Sequence, residues 1–279
     1  MAVVGKKIAT VIGGQGFVGH HLVSHLMAEG WECWVPLKND PLLTERPLGH
    51  VFYCAGLTAD YAVRSFDVVD AHVSCLNKIL HYSDYQSLVY LSSTRLYDSR
   101  PGILADETSD LSFNTSNPRH IYDLSKALGE SMCHVAGKGK AKIARLACVY
   151  HNQNDADGFL PALLRDVIAH RNTGNPLMVN SSPYFSRDYV AIRDVVDALV
   201  KIACFGTQTI YNIASGENVK NETLFSHLAS KFQIKITPLK NEQIPLPALI
   251  SISRLRTEFE WQAAPVLQEI DRILENAQC

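Results

Sequence analysis

Apolar positions in the first half of the chain switch repeatedly between two patterns. Ile8-Ala-Thr-Val-Ile12 is a nearly continuous apolar run closed by Gly13-Gly14, the pattern of a strand covered on both faces. Beyond it the period changes: Val18, Leu22 and Leu26, with Val23, recur at helical spacing. A helix is therefore predicted over 17–29, with Gly30 as its stop. The same alternation predicts strands over 31–37, 50–54, 88–92 and 142–147. Helices are predicted over 67–82 and 122–135, the second closed by the turn Gly137-Lys-Gly-Lys140. Strands alternating with helices over about 150 residues imply an α/β fold, doubly wound around a mostly parallel sheet with right-handed crossovers.

The second half is less regular. Helices are predicted over 159–170, 195–205 and 222–232, and a strand over 209–213 that ends at Ser215-Gly216. Pro238, Pro245 and Pro247 precede two short helical stretches. We expect a sheet domain over 1–150. A smaller lobe over 151–279 is expected to send some segments back to the sheet.

Composition narrows the partner. The chain has 279 residues, 47% of them hydrophobic, and a net charge of −2. That supports a large core and gives no basic excess to draw it to nucleic acid or an anionic membrane, so a small molecule is the expected partner. The segment Met1 to Lys7 lacks the pattern of a secretory leader, and no run of about 18 apolar residues offers a membrane span. Seven dispersed cysteines, none in a CxxC pair, point to reduced thiols and a cytoplasmic location. The histidines are scattered too, with only His20 and His21 adjacent, so no metal site is expected.

Chemistry enters at the first turn. Gly13-Gly14-Gln15-Gly16-Phe17-Val18-Gly19 places glycines between a predicted strand and a predicted helix. Such glycines permit a sharp turn, a close approach by a pyrophosphate and tight helix–strand packing. The helix N-terminus presents free N–H groups to the phosphates. In this context Gly13, Gly16, Phe17 and Gly19 read as a dinucleotide cradle on a Rossmann-type sheet. An acid at the end of the second strand would hold the ribose of NAD, but that place falls on Leu37, followed by Lys38. A lysine suits a 2′-phosphate, so NADP(H) is preferred. NAD(H) is the alternative, with Asp40 reaching the ribose and Lys38 merely solvated.

Tyr122-Asp-Leu-Ser-Lys126 puts a phenol and an ammonium on one helix face. A cation near a tyrosine favours the phenolate and brings a group with pKa near 10 towards useful acid/base chemistry. Lys126 can also hold the ribose next to the nicotinamide. The bland alternative is a buried tyrosine beneath a solvated lysine. Upstream, Val89-Tyr-Leu-Ser-Ser-Thr-Arg-Leu-Tyr97 ends a strand in hydroxyls that face the ligand crevice of a parallel sheet. A serine there can steady charge on a substrate oxygen, or simply cap a turn.

The order of features resembles the extended short-chain dehydrogenase/reductases, in the nucleotide-sugar epimerase/dehydratase branch. The features are the glycine loop, His50-Val-Phe-Tyr-Cys-Ala-Gly56, the hydroxyl cluster, YxxxK, Arg145-Leu-Ala-Cys-Val-Tyr150, Ser186-Arg-Asp-Tyr-Val190, Tyr211-Asn-Ile-Ala-Ser-Gly216 and a closing segment at 253–261. The resemblance implies Ser93, Tyr122 and Lys126 as catalytic residues and Ala55 against the cofactor. It places Ser93, Thr94 and Arg187 on the substrate, with Arg187 gripping a nucleotide diphosphate in the bidentate manner of guanidinium. An ion pair with Asp188 is the alternative use of Arg187. The branch also implies a homodimer formed through the helices at 67–82 and 122–135.

Four departures are informative. Thr94 and Arg95 stand where dehydratases of the branch carry an Asp-Glu pair, so dehydration is not expected. His72 replaces an Asn, and His151-Asn152 replaces Gly-Pro. The stretch between Leu37 and His50 is too short for the usual helix and third strand, so the sheet is expected to lack an edge strand and expose the adenine end of the cofactor. The leading expectation is NADP(H)-dependent reduction of a keto group on a nucleotide-linked deoxysugar. An NAD-dependent epimerase is the alternative, and a non-catalytic dinucleotide sensor a third.

Overall fold

The structure is a computed structural model, and it describes residues 6–57, 61 and 63–277. Residues 1–5, where the absence of a leader was read, and Cys279 lie outside the described residues. Six strands form one sheet: β1 (Ile8–Ile12), β2 (Glu32–Trp34), β3 (His50–Tyr53), β4 (Ser87–Ser93), β5 (Ala141–Leu146) and β6 (Ile210–Ile213). From one edge to the other they run β2, β1, β3, β4, β5, β6, and every neighbouring pair is parallel. The sheet is thus the Rossmann-type α/β arrangement expected.

The period-two alternation of the strands decides what covers each face. Val11, Phe52 and Val89 join Leu22 and Leu26 of the first helix, Phe17–Ala28, and Val195, Leu199 and Ile202 of the helix Ile192–Phe205. Their neighbours Tyr53, Leu88 and Tyr90 point the other way, onto Leu76 and Ile79 and onto Cys133 of the helix His120–Ala136. A separate apolar core gathers Tyr150, Leu160, Leu164, Leu224, Leu228 and Ile270. Ile250, Leu255 and Trp261 return to the sheet.

Predicted and observed elements agree to within two or three residues except at β2, where the strand predicted over 31–37 shrinks to Glu32–Trp34. Pro36 has no N–H to give a ladder, and β2 has β1 on one side and no strand on the other. From there to β3 the chain makes only the short 3-10 turn Pro41–Leu43, capped by the Asp40 carboxylate on Leu42 N at 3.0 Å. Leu43 and Leu48 are buried against the sheet, so this shortcut is packed rather than loose. The sheet ends at β2, as its length requires.

The helix predicted over 67–82 carries an irregularity that the sequence does not announce. α-Helical turns at Ser65–Val69 and Cys75–Tyr82 flank a π turn, Asp70–Ser74. Two strand tyrosines serve carbonyls of this wide turn: Tyr53 Oη donates to Ala71 O at 2.5 Å and Tyr90 Oη to His72 O at 3.3 Å. π Turns recur at functional sites because they redirect side chains. Here the turn carries His72 into the interior.

Candidate active site

The topology reverses at β1, from which the chain leaves first to β2 and then back past β1 to β3. A ligand crevice belongs at the carboxyl ends of the strands beside such a point. A cavity of about 690 Å³ opens there, lined by Gly16, Phe17, Cys54, Gly56, Ser93, Thr94, Arg95, Tyr122, Lys126, Cys148 and Arg187 among others.

The glycine loop has the required close packing. Gly13 lies at φ +78°, and a Cβ there would meet Ala55 N at 2.6 Å. A Cβ on Gly19 would fall 2.3 Å from Gly13 O. The first helix begins after Gly16 with no side-chain cap, so its leading N–H groups face the cavity mouth unspent. This arrangement fits a dinucleotide pyrophosphate: Gly16 and Phe17 line the cavity itself, while Gly13, Gly19 and Ala55 shape the turn from behind. Lys38 lies away from the cavity on an exposed edge, with its ammonium 3.2 Å from Asp70 and 3.8 Å from Asp67.

Tyr122 is buried in the first turn of its helix, and burial pushes its phenol above the usual range. The guanidinium of Arg95 and then the Ser93 hydroxyl oppose that shift, while Asp123 adds to it. The Arg95 guanidinium lies 4.7 Å from the centre of the Tyr122 ring. Ser93 ends β4 and accepts from Arg95 N at 3.2 Å, which ties the hydroxyl to the turn that carries the arginine. Lys126, one turn beyond Tyr122, donates to Leu91 O at 2.7 Å and stands 4.9 Å from the Tyr90 ring. Its burial pulls the ammonium down to about 7, partly offset by Glu130. Ser93, Tyr122 and Lys126 thus all line the one cavity.

His72 fills the space beneath them. Ser125 Oγ donates to Tyr122 O at 2.8 Å, so it can only accept from His72 Nδ1, at 2.9 Å. Nε2 is buried with no partner among the described residues, so a proton there would lack an acceptor and the ring is neutral with Nε2 bare. Burial, reinforced by Lys126, pulls this imidazole down to about 2. A Cβ on Gly56 would meet His72 Nε2 at 2.9 Å and Lys126 Nζ at 3.3 Å, so glycine is needed to keep the pocket floor open.

Arg187, on the short strand Ser186–Arg187, borders the cavity with its guanidinium 4.6 Å from the Phe185 ring. The ion pair with Asp188 is not formed. Asp188 turns away and accepts from Ser215 N, Ser215 Oγ and Gly216 N at 2.7, 2.8 and 2.9 Å. The other carboxylate lining the cavity, Asp98, is bound by Arg119 at 2.5 Å. Sequence reading missed the packing of Arg95 on Tyr122 and the reach of His72. Both residues stand at departures from the branch's pattern, and that was the available signal.

Among the described residues no three His, Cys, Asp or Glu side chains converge as metal ligands, and the six described cysteines are free. No described helix is long and apolar enough to cross a membrane.

Known proteins share this architecture. A Streptomyces protein described as dTDP-4-dehydro-6-deoxy-D-allose reductase is 21% identical, aligned over 93% of this chain and 93% of its own. RMD from Pseudomonas aeruginosa, solved with NADPH, superposes with a TM-score of 0.73 at 21% identity, covering 98% of each chain. The UDP-glucose 4-epimerase of Thermotoga maritima, solved with UDP-glucose, gives a TM-score of 0.75 at 16% identity, over 97% of this chain and 98% of that one. The NAD dependent epimerase/dehydratase family matches residues 9–214, and the chain belongs to that family of nucleotide-sugar enzymes.

Proposed function

We propose that the protein reduces a keto group on a nucleotide-linked deoxysugar with NADPH. The observation that carries this reading is the state of the carboxylates in the cavity. Asp98 is held by Arg119 and Asp188 by the Ser215–Gly216 backbone, so neither is free to take a proton from a sugar carbon. Thr94 and Arg95 hold the positions where dehydratases keep their acids. What is left is a phenol, a serine and cations, a set suited to a carbonyl that gains a proton on oxygen. The nicotinamide, when bound, supplies the hydride. Ser93 orients the carbonyl oxygen by donating to it, and the Tyr122 hydroxyl delivers its proton to the same atom. Lys126 holds the ribose, and Arg187 anchors the diphosphate. The similarity to a keto-sugar reductase, at low identity, supports the direction of reaction. We further read the exposed Phe66, on the helical turn Ser65–Val69, and the exposed Leu128 and Val135, on the helix His120–Ala136, as the face that meets a second copy of the chain.

Absorbance at 340 nm during incubation with nucleotide-linked 4-keto-6-deoxysugars tests the proposal. NADPH should be consumed in proportion to product, and Tyr122→Phe should slow it by at least about a hundredfold. Interconversion of sugars with no net loss of NADPH would favour the epimerase reading. Turnover unchanged by Tyr122→Phe would remove the phenol from the mechanism.

A further inference from the structure

Resting on the reading of Tyr122 as the acid/base, we propose that Arg95 is its positioning residue: this guanidinium is a second cation that stabilises the phenolate, besides the ammonium of Lys126.

The geometry separates the two cations. Lys126 donates to Leu91 O and lies over the Tyr90 ring. Arg95 lies against two aromatic rings, 4.7 Å from the centre of Tyr122 and 5.4 Å from that of Tyr61. Its main chain is pinned by the Ser93 hydroxyl, so the strand end that supplies the serine also fixes the arginine. No carboxylate among the described residues pairs with Arg95. Asp98 is bound by Arg119, and the same arginine lies 3.9 Å from Asp123. The other groups facing the phenol are the neutral His72, edge-on at 5.4 Å, and the Tyr61 ring at 5.9 Å. The acid Asp123, on the same helix, opposes ionisation.

Chemistry gives the same answer. A guanidinium keeps its charge at any working pH. Burial leaves the Lys126 ammonium half-discharged near neutrality, so its charge fades across the range in which the enzyme would act. Of the groups that favour the phenolate, Arg95 is the largest contributor and Ser93 the next.

The test uses 3-fluorotyrosine at position 122 in the otherwise intact, ligand-free chain, titrated by fluorine NMR. Fluorination lowers the phenol's range enough for the transition to be followed before alkaline unfolding. Arg95→Met should raise the midpoint by about one pH unit or more, a tenfold change in proton affinity. Arg95→Lys should recover part of it. Arg95→Gln replaces Arg95→Met if the latter does not fold. A midpoint unchanged within a few tenths of a unit in the Arg95 variants overturns the proposal. No substrate enters the measurement, so its failure is distinct from failure of the reductase reading, which the absorbance assay decides.

Discussion

Lys126 shows most directly how burial and function compete at a single residue. The folded chain gives up its proton near pH 7, whereas the unfolded chain keeps it to about 10.4. Between those values the unfolded state binds more protons, so stability rises with pH. The penalty for burying the charge is fully present below about pH 7 and is relieved towards pH 10. Urea unfolding of wild type and Lys126→Met should show this. The variant's stability relative to wild type should fall by on the order of 2–4 kcal/mol as pH rises from 6 to 10. A difference that does not change with pH would mean that the ammonium is solvated in the folded chain. The pairing of Tyr122 with Lys126 was legible in the sequence because helical spacing is local. The cation over the phenol was not legible, because Arg95 reaches Tyr122 from a different element and only packing at the end of β4 brings them within 4.7 Å.

At the scale of elements, legibility followed from how local each cause is. Burial on both faces made β1, β3 and β4 apparent from their apolar runs. The missing edge strand was equally plain, since chain length alone forbids it. The π turn was hidden, because its carbonyl partners are Tyr53 and Tyr90, which lie on neighbouring strands. It also needs Gly129 opposite: a Cβ there would strike Tyr90 Oη at 2.4 Å and come within 3.0 Å of His72 O. The glycine loop yields a sharper test, because its glycines have different duties. Gly19→Ala forces a Cβ to 2.3 Å from a backbone oxygen and should destabilise the fold by about 2 kcal/mol or more. Gly16 has an extended backbone, with the nearest atom to an added Cβ at 3.3 Å. Gly16→Ala should therefore stay within about 1 kcal/mol of wild type in a ligand-free thermal melt. It should nonetheless weaken dinucleotide binding, since the methyl enters the phosphate approach. Equal destabilisation by both substitutions would mean that the loop is shaped by packing alone.

On the proposed reading, the adenosine end of the cofactor meets the truncated side of the sheet. With β2 outermost, the end of that strand faces solvent, and Leu37 there is 70% exposed. Asp40, the alternative group for the ribose, is committed to capping its turn. Lys38 is the group we propose for the adenosine ribose, but it shares its charge with Asp67 and Asp70, and Arg64 claims Asp67 at 2.9 Å. A 2′-phosphate must therefore win Lys38 from two carboxylates that also repel it. The expected preference for NADPH over NADH is accordingly modest, about tenfold, in the range of one exposed charge-assisted contact. Lys38→Ala should abolish it, and Asp70→Asn should enlarge it by freeing the ammonium and removing a repulsive charge. Dissociation constants for both cofactors, measured at two salt concentrations, decide the matter. Because the contact is exposed, the NADPH preference should shrink at the higher salt while NADH binding hardly changes. Equal affinities in the wild type, indifferent to both substitutions, would put the phosphate elsewhere and return the chain to NAD. We read the open edge as suited to a cofactor that exchanges, which the proposed net reduction requires and a permanently held epimerase cofactor does not.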